Sequence, residues 1–398
     1  MNLKNKHRIM ITFARELSPW VKLELEQLGY KVLEERKSGV EIEGNIEDAM
    51  LLNLKLRCAY CVMMLLSEFD CDDESKFYKE VRKIWWERII PPEEYLSVNS
   101  RADDKVVNNT MFVNQLAKDA IVDRIKTKTG RRPDSGPEKG GVVVNIYWYN
   151  GKCYVYLNTT GRKLSDRGYR KIPYKAPVQE SLAAAVLYAS GYDGSQELIL
   201  PMCGSGTFAI EAALIAQGRA PGLLRSNYSF MHFNKFDSEL WQQMRKEERK
   251  NAEKKNKPNI KASDIDPEAV KAAEKNAKTA GADQLIDFSV CDFAKKTPES
   301  DGAIILMNPE YGMRMGEKSK LESVYKRIGD YLKQSCPGCT GCIFTGNLEL
   351  AKKIGLRTSR RIVFYNADVE CRLLKYELFS GSMHEREKAK LNAGQEEK

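Results

Sequence analysis

No apolar run in the 398 residues approaches the roughly 20 that a helix needs to cross a bilayer. The N-terminus, "MNLKNKHRIMITFARE", starts basic but lacks the apolar stretch and small-residue cleavage site of a signal peptide. Histidine is scarce, and His7, His232 and His384 are too scattered to form a catalytic or ligand set. No Gly-Lys-Ser/Thr follows the glycine turn at Gly204, which excludes a P-loop. Ten cysteines in a chain without a leader are expected as reduced thiols. Cys336, Cys339 and Cys342 repeat at C-x2-C-x2-C, and Cys58 and Cys61 form another C-x2-C. A four-ligand site would have to draw on distant segments, so no metal is expected. A cytoplasmic chain without membrane association is expected.

What is present suits a large globular chain. The sequence is 42% hydrophobic and 30% charged, enough for sizeable cores in two or three domains. Its net charge of +9 fits an anionic partner, with nucleic acid the first candidate.

The first 60 or so residues read as strand, helix, strand, strand, helix, with Ser18 as N-cap, Pro19 at N1 and a stop at Gly29. A second α+β segment follows, closing in two strands around Asn150-Gly151, a strong hairpin signal. Its Trp85-Trp86 pair, in an expected helix, can send at most one ring into a core. The basic run "DRIKTKTGRRPDSGPEKG" reads either as a solvated loop or as a phosphate-contacting edge. Beyond Ala176, five strands alternate with helices and end in a hairpin, the pattern of a doubly wound sheet with an antiparallel edge. One long charged insertion, about Gln217 to Pro258, interrupts it, and a charged tail covers 384–398.

"LILPMCGSGTFAIEAALIA" is strand, glycine turn and helix, with Gly204, Gly206 and Ala209 matching G-x-G-x-x-A. Such a turn lets a ligand approach the backbone and the helix N-terminus, and alone it serves NAD, FAD or S-adenosylmethionine. The next strand ends at Asp264, placed to accept ribose hydroxyls, with Asp266 as the following helix cap. The third ends at Asp292-Phe293, an acceptor for an adenine amine and a ring to pack on it. Cys203, inside the turn, reads as small-residue packing rather than a nucleophile.

The fourth strand ends in "NPEY", Asn308 to Tyr311. A dehydrogenase needs nothing of this kind there. A methyltransferase acting on an exocyclic amine does, because that nitrogen's lone pair is delocalised into its ring. The Asn308 side-chain oxygen and the Pro309 carbonyl can accept its two hydrogens, and Tyr311 can stack on the base. Glu310 is expected to be a tolerated substitution facing solvent, the alternative being a carboxylate that steadies the sulfonium or takes the departing proton.

With "PMCGSGT", "SDIDP", "CDF" and "NPEY" in order, the chain resembles the class I S-adenosylmethionine-dependent methyltransferases. "GRKLSDRGYRKIPYKAPVQESLAAAVL" joined to "LPMCGSGTFAIEAALIAQGRAPGL" resembles the THUMP-domain RNA methyltransferases of the bacterial RlmL type. The resemblance implies a Rossmann-like methyltransferase domain over 162–383, behind a ferredoxin-like α+β unit over 1–66 and a THUMP RNA-binding domain over 67–161. It also implies N2-methylation of a guanine in 23S rRNA or its precursor; on the residues alone, tRNA guanine or adenine N6 stay open, as does an RNA-binding assembly factor without turnover. Pro177, Pro201, Cys203, Gly204, Gly206, Thr207, Asp264, Asp292 and Asn308 would border the S-adenosylmethionine, while Asn308, Pro309 and Tyr311 would hold the base. Glu310, Met313 and Leu200 depart from the family pattern. A monomer is favoured.

Overall fold

The computed structural model describes residues 2–103, 105, 107–174, 177–252, 257–312 and 318–379, with backbone alone at 318. Met313, His384 and the charged tail lie outside them. The chain divides into two compact units: Met1–Tyr169 with Gln179–Ala185 and Gly218–Lys255, and Arg170–Val178 with Val186–Gln217 and Asn256–Lys398.

The first unit is built on one seven-stranded sheet. Its strands are β1 (His7–Phe13), β2 (Glu34–Arg36), β3 (Gly39–Gly44), β4 (Ala59–Asp70), β5 (Leu96–Asp103), β6 (Val142–Tyr149) and β7 (Lys152–Asn158). They lie in the order β2-β3-β1-β4-β7-β6-β5, with only β5 and β6 parallel. Helices α1 (Ser18–Gln27), α2 (Ile46–Lys55), α3 (Glu74–Lys83) and α4 (Thr110–Thr129) accompany them. Strand β4 pairs with β1 on one side and β7 on the other, so the two α+β segments share one continuous sheet. The boundary expected between Leu66 and Ser67 therefore lies inside a strand.

Local signals account for several of these elements. Asn45 and Asp48 form a capping box that starts α2. Asn150 and Gly151 take positive φ of 51° and 71°, the left-handed pair that a tight hairpin demands. Ser18, by contrast, is not a cap: Leu17 holds that position without a side-chain bond, and the Ser18 hydroxyl donates to Glu35. Helix α3 stops at Lys83 and a short 3-10 turn spans Trp86–Arg88. Trp86 is fully buried and Trp85 exposed, as the one-ring expectation required.

The long insertion belongs to this first unit by packing. Thr159 accepts from the Phe230 amide at 3.1 Å, and Lys55 pairs with Glu248 at 3.0 Å. Gly222 lies so close to α2 that a Cβ there would sit 2.7 Å from the Leu54 Cα.

The second unit carries β8 (Leu198–Leu200), β9 (Ile260–Asp264), β10 (Asp287–Val290), β11 (Ile304–Met307), β12 (Thr340–Thr345), β13 (Arg360–Asn366) and β14 (Val369–Glu377). The order is β10-β9-β8-β11-β12-β14-β13, with the first five parallel and β14 antiparallel to both neighbours. The remaining helices of the described residues are α5 (Glu180–Ser190), α6 (Thr207–Ala216), α7 (Ser238–Ala252, in the insertion), α8 (Pro267–Ala280), α9 (Lys318–Ser335) and α10 (Leu348–Lys352). A core of Ile199, Ile305, Met307, Tyr325, Ile328 and Ile343 lies on one face of the sheet. Strand order reverses between β8 and β11, and in open α/β sheets ligands bind at the carboxyl ends of strands flanking such a switch. The glycine turn leaves β8 there, and "NPEY" leaves β11.

Candidate cofactor and amine site

The glycine turn is tied to the neighbouring strand end. The Cys203 amide donates to the Ser263 carbonyl at 2.9 Å, and the Gly204 amide to the Asp264 carboxylate at 3.0 Å. The other Asp264 oxygen takes the Asp266 amide at 3.1 Å. Each carboxylate oxygen accepts one backbone bond and keeps acceptor capacity for a hydroxyl. Asp266 caps α8 through the Glu268 amide at 2.9 Å, as its place before Pro267 suggested.

The two glycines serve different ends. At Gly206 (φ +83°) a Cβ would stand 2.9 Å from the Ala273 Cβ, so this residue lets α8 approach the turn. At Gly204 (φ +52°) a Cβ would meet nothing within 4 Å, leaving room for a ligand against the backbone. Buried Pro201 leads the chain from β8 into this turn, and burial pushes the Cys203 thiol up, which suits packing and not nucleophilic chemistry.

Residues that sequence reasoning passed over hold the turn in place. Asn276 on α8 is fully buried and uses its whole amide. It accepts from the Lys171 and Ile172 amides at 3.0 Å and donates to the Ile172 and Ser205 carbonyls at 2.9 and 3.1 Å. The available signal was an Asn in the middle of an Ala/Lys helix, where that residue is a poor helix former. Arg170 reaches the Val178 carbonyl at 2.6 Å and the Thr207 hydroxyl at 3.2 Å. Pro177 precedes Val178 in the irregular stretch before α5.

Asp292 lies at the end of β10, but its carboxylate caps a short turn through the Ala294 amide at 3.0 Å and meets Arg327 at 2.8 Å. Burial pushes its pKa up, yet Arg327 and that amide outweigh burial and hold it below the usual carboxylate range. Phe293 departs from the expected open ring: it is buried, edge-on to Tyr331 at 5.7 Å, with Arg327 over it at 4.9 Å. Its ring is a core residue because β10 hands directly into a 3-10 turn that rotates it inward.

At the end of β11, the Asn308 side-chain oxygen is buried and receives no donor from any described residue. No described residue donates to the Pro309 carbonyl either. Two acceptors that receive no donor from the described residues therefore follow one another along the chain at the switch point. A buried acceptor without a donor, as at Asn308, is rare in folded proteins, and a ligand's N–H group is a natural partner. Tyr311 is half-buried and fixed at three points. Its hydroxyl accepts from Asn366 at 3.0 Å, its carbonyl from Asn347 at 3.4 Å, and its ring packs on Gly346, where a Cβ would be 2.9 Å away. Burial pushes the phenol up to about 12, so it stays neutral. Tyr325, bonded to Thr345 at 2.8 Å, also reaches the Glu310 carbonyl at 3.4 Å. Glu310 itself is exposed.

Residues 167–375 match the RMKL-like methyltransferase domain family, UPF0020. The chain belongs to that family. Residues 8–63 match the RlmL ferredoxin-like domain and residues 71–158 the THUMP domain. The protein slr0064 of Synechocystis sp., provisionally named an RNA methyltransferase, is 33% identical over 368 residues, 92% of this chain and 96% of that one. The ribosomal RNA large subunit methyltransferase K/L of Syntrophotalea carbinolica is 33% identical over 381 residues, 93% of this chain and 53% of that one. The chain spans about half the length of the K/L relatives it matches. Among solved structures, SMU.472 complexed with SAH has a TM-score of 0.86 at 25% identity, covering 95% of this chain and all of that one. A Listeria monocytogenes protein, named a predicted N6-adenine-specific DNA methylase, has a TM-score of 0.85 at 25% identity, covering 94% and 96%.

The cofactor of this RMKL-like methyltransferase is S-adenosylmethionine, and the residues fit it. Gly204 leaves backbone open beside the turn, and Asp264 keeps acceptor capacity at the adjoining strand end. Among the described residues, no group of three or more His, Cys, Asp or Glu is arranged to hold a metal, and no helix is long and apolar enough to cross a membrane. All ten cysteines are free.

Proposed function

We propose that the chain methylates the exocyclic N2 amine of a guanine in large-subunit (23S) rRNA. The observation that carries this reading is the buried Asn308 oxygen without a donor, followed in the chain by a Pro309 carbonyl to which no described residue donates. Two acceptors suit the two hydrogens of one amine. Binding both draws the nitrogen's lone pair out of the ring and makes it a better nucleophile. S-adenosylmethionine supplies the electrophilic methyl group on its sulfonium. Tyr311 offers a ring that Asn366 and Gly346 hold in one orientation, against which a base taken out of its helix stacks. The chemistry requires no group of unusual pKa; alignment supplies the rate.

The choice of RNA draws on the THUMP match and on the names of the K/L relatives. Adenine N6 is the second reading, favoured by the name of the Listeria protein, since the same two acceptors serve either amine. The test is transfer from methyl-labelled S-adenosylmethionine to unmodified large-subunit rRNA, bulk tRNA and DNA in parallel. Label on the rRNA is expected. Label confined to tRNA or DNA, or absent from all three, overturns the proposal.

A further inference from the structure

The sheet of the first unit has two unlike faces. One is apolar and dry: Ile9, Ile11, Val62, Ile146 and Trp148 are fully buried, and Trp148 stacks on Phe77 of α3 at 4.9 Å. The other carries residues of opposite alternation, among them Tyr147 and Tyr149 on β6 and Tyr154 and Tyr156 on β7. A cleft of about 590 Å³ lies on that side, reaching from Met10 and Thr12 on β1 to Arg101 on β5.

The four tyrosines form a ladder. Tyr149 stacks on Tyr154 with centroids 5.3 Å apart, Tyr154 neighbours Tyr156 at 6.4 Å, and Tyr147 meets Tyr156 edge-on at 5.6 Å. Arg36 covers Tyr154 at 5.4 Å and donates to the Tyr149 hydroxyl at 2.8 Å, so the inner rings are sealed. The outer two, Tyr147 and Tyr149, are half-buried and reach the cleft. Around them stand groups that the fold leaves unengaged. No described residue bonds the Tyr147 hydroxyl, and neither Lys37 nor Arg101 has an ion pair among the described residues. Asp103 is the only acid among the described lining residues. Thr110 completes the rim, and next to it Met111 and Phe112 are 77% and 40% exposed.

We propose that this face binds a segment of single-stranded RNA, with bases stacked on Tyr147 and Tyr149 and phosphates held by Lys37 and Arg101. Half-buried rings and cations without ion pairs around one open cleft are what unpaired bases require, because every base offers a π-face and every linkage a negative charge. A duplex hides its base faces and gains nothing from the tyrosines. The other basic groove, between α3 and α4, is a weaker candidate: Arg124 is held by Glu87 through two bonds, and Lys76 and Lys83 pair with Asp72 and Glu80. The proposal rests on RNA being the substrate, and it adds where unpaired RNA is gripped away from the reacting base.

Fluorescence anisotropy with a short single-stranded oligoribonucleotide of mixed sequence, and with the same sequence as a duplex, tests it on the full chain. Tyr147→Ala and Tyr149→Ala should each weaken single-strand binding roughly 5- to 150-fold, while Tyr147→Phe keeps it. The exposed charge reversals Lys37→Glu and Arg101→Glu, which cannot open a core, should weaken it as well and flatten its salt dependence. The double variant Lys79→Ala, Arg82→Ala on the α3/α4 groove is the control and should stay near wild type. Unchanged affinity in the tyrosine and charge-reversal variants, or equal loss for duplex and single strand, overturns the proposal. Self-association of the wild type abolished by Tyr149→Ala, with RNA affinity unmoved, would give the face to a second copy and overturn it too. Methyl transfer by the wild type is measured alongside: transfer with an unaffected tyrosine face leaves the enzymatic reading standing alone, whereas tyrosine-dependent binding without transfer leaves only the RNA platform.

Discussion

Replacing Asn308 with alanine should leave the protein as stable as before, or more stable, while slowing its chemistry severely. A buried acceptor without a donor costs a folded protein about 1–3 kcal/mol. The Asn308 side-chain oxygen is such an acceptor, though the residue as a whole is only half-buried, so the low end of that range applies. Truncation also removes some packing, which offsets part of the relief. The net expectation is a change between zero and about 1 kcal/mol in favour of the variant, or a rise of up to roughly 4 °C in melting temperature for a unit of this size. Activity should move the other way. Loss of one of two transition-state acceptors costs about 2.7–4 kcal/mol, a fall of roughly 100- to 1,000-fold in kcat. Differential scanning fluorimetry with and without S-adenosylmethionine gives the first quantity and the cofactor affinity, which should hold within a few-fold. Single-turnover methyl transfer gives the second. An Asn308→Ala protein that melts several degrees lower yet still transfers methyl would show that the side chain is structural, and the reasoning would fail.

The two turn glycines should separate stability from binding: Gly206→Ala, with its Cβ 2.9 Å from Ala273, should cost about 2–4 kcal/mol in denaturant melts, whereas Gly204→Ala should cost about 1 kcal/mol and chiefly weaken S-adenosylmethionine in calorimetry. Tyr311→Phe and Asn366→Ala each delete the same 3.0 Å bond, worth about 1 kcal/mol, so each should raise KM roughly five-fold and the double variant no further; additive losses in the cycle would refute the shared anchor. Acid stability should depend on Glu197, whose carboxylate burial alone would push up but which Lys261 and the Glu299 and Ser300 groups hold below its usual value. A depressed folded pKa gives stability that is complete above the unfolded value near 4.5 and is lost as pH falls through the folded one. The melting-temperature gap between wild type and Glu197→Gln should accordingly be widest near neutrality and close in acid; a gap independent of pH would contradict the assignment.

Motifs at strand ends were the most legible part of the sequence. Glycine turn, Asp264, Asp292 and Asn308 follow four strands in order, and a doubly wound sheet carries successive strand ends to one edge whatever the details of its packing. The Asn150-Gly151 hairpin was legible because its turn chemistry is local. What could not be read depended on partners far away in sequence. That β4 pairs with both β1 and β7 is a matter of register between segments far apart in sequence, and nothing near Leu66 marks it. The charged insertion looked like an ornament of the catalytic domain, since Gly222 and Glu248 reveal their fit to α2 only in three dimensions. Asn276, Asn347 and Asn366 were missed for the same reason: a lone asparagine reads as a solvated side chain until its bonds are seen. Phe293 was misjudged because the direction of a side chain just past a strand depends on the turn that follows.

The central claim is that Asn308 and Pro309 receive the hydrogens of a guanine's exocyclic amine. The most direct measurement is to digest the labelled rRNA to nucleosides and identify the methylated one by chromatography and mass spectrometry. N2-methylguanosine, formed at least about 100-fold more slowly when Asn308→Ala replaces the wild type, is the predicted result. Label on a ring carbon or a ribose oxygen, or N2-methylguanosine formed equally well by the variant, would contradict it.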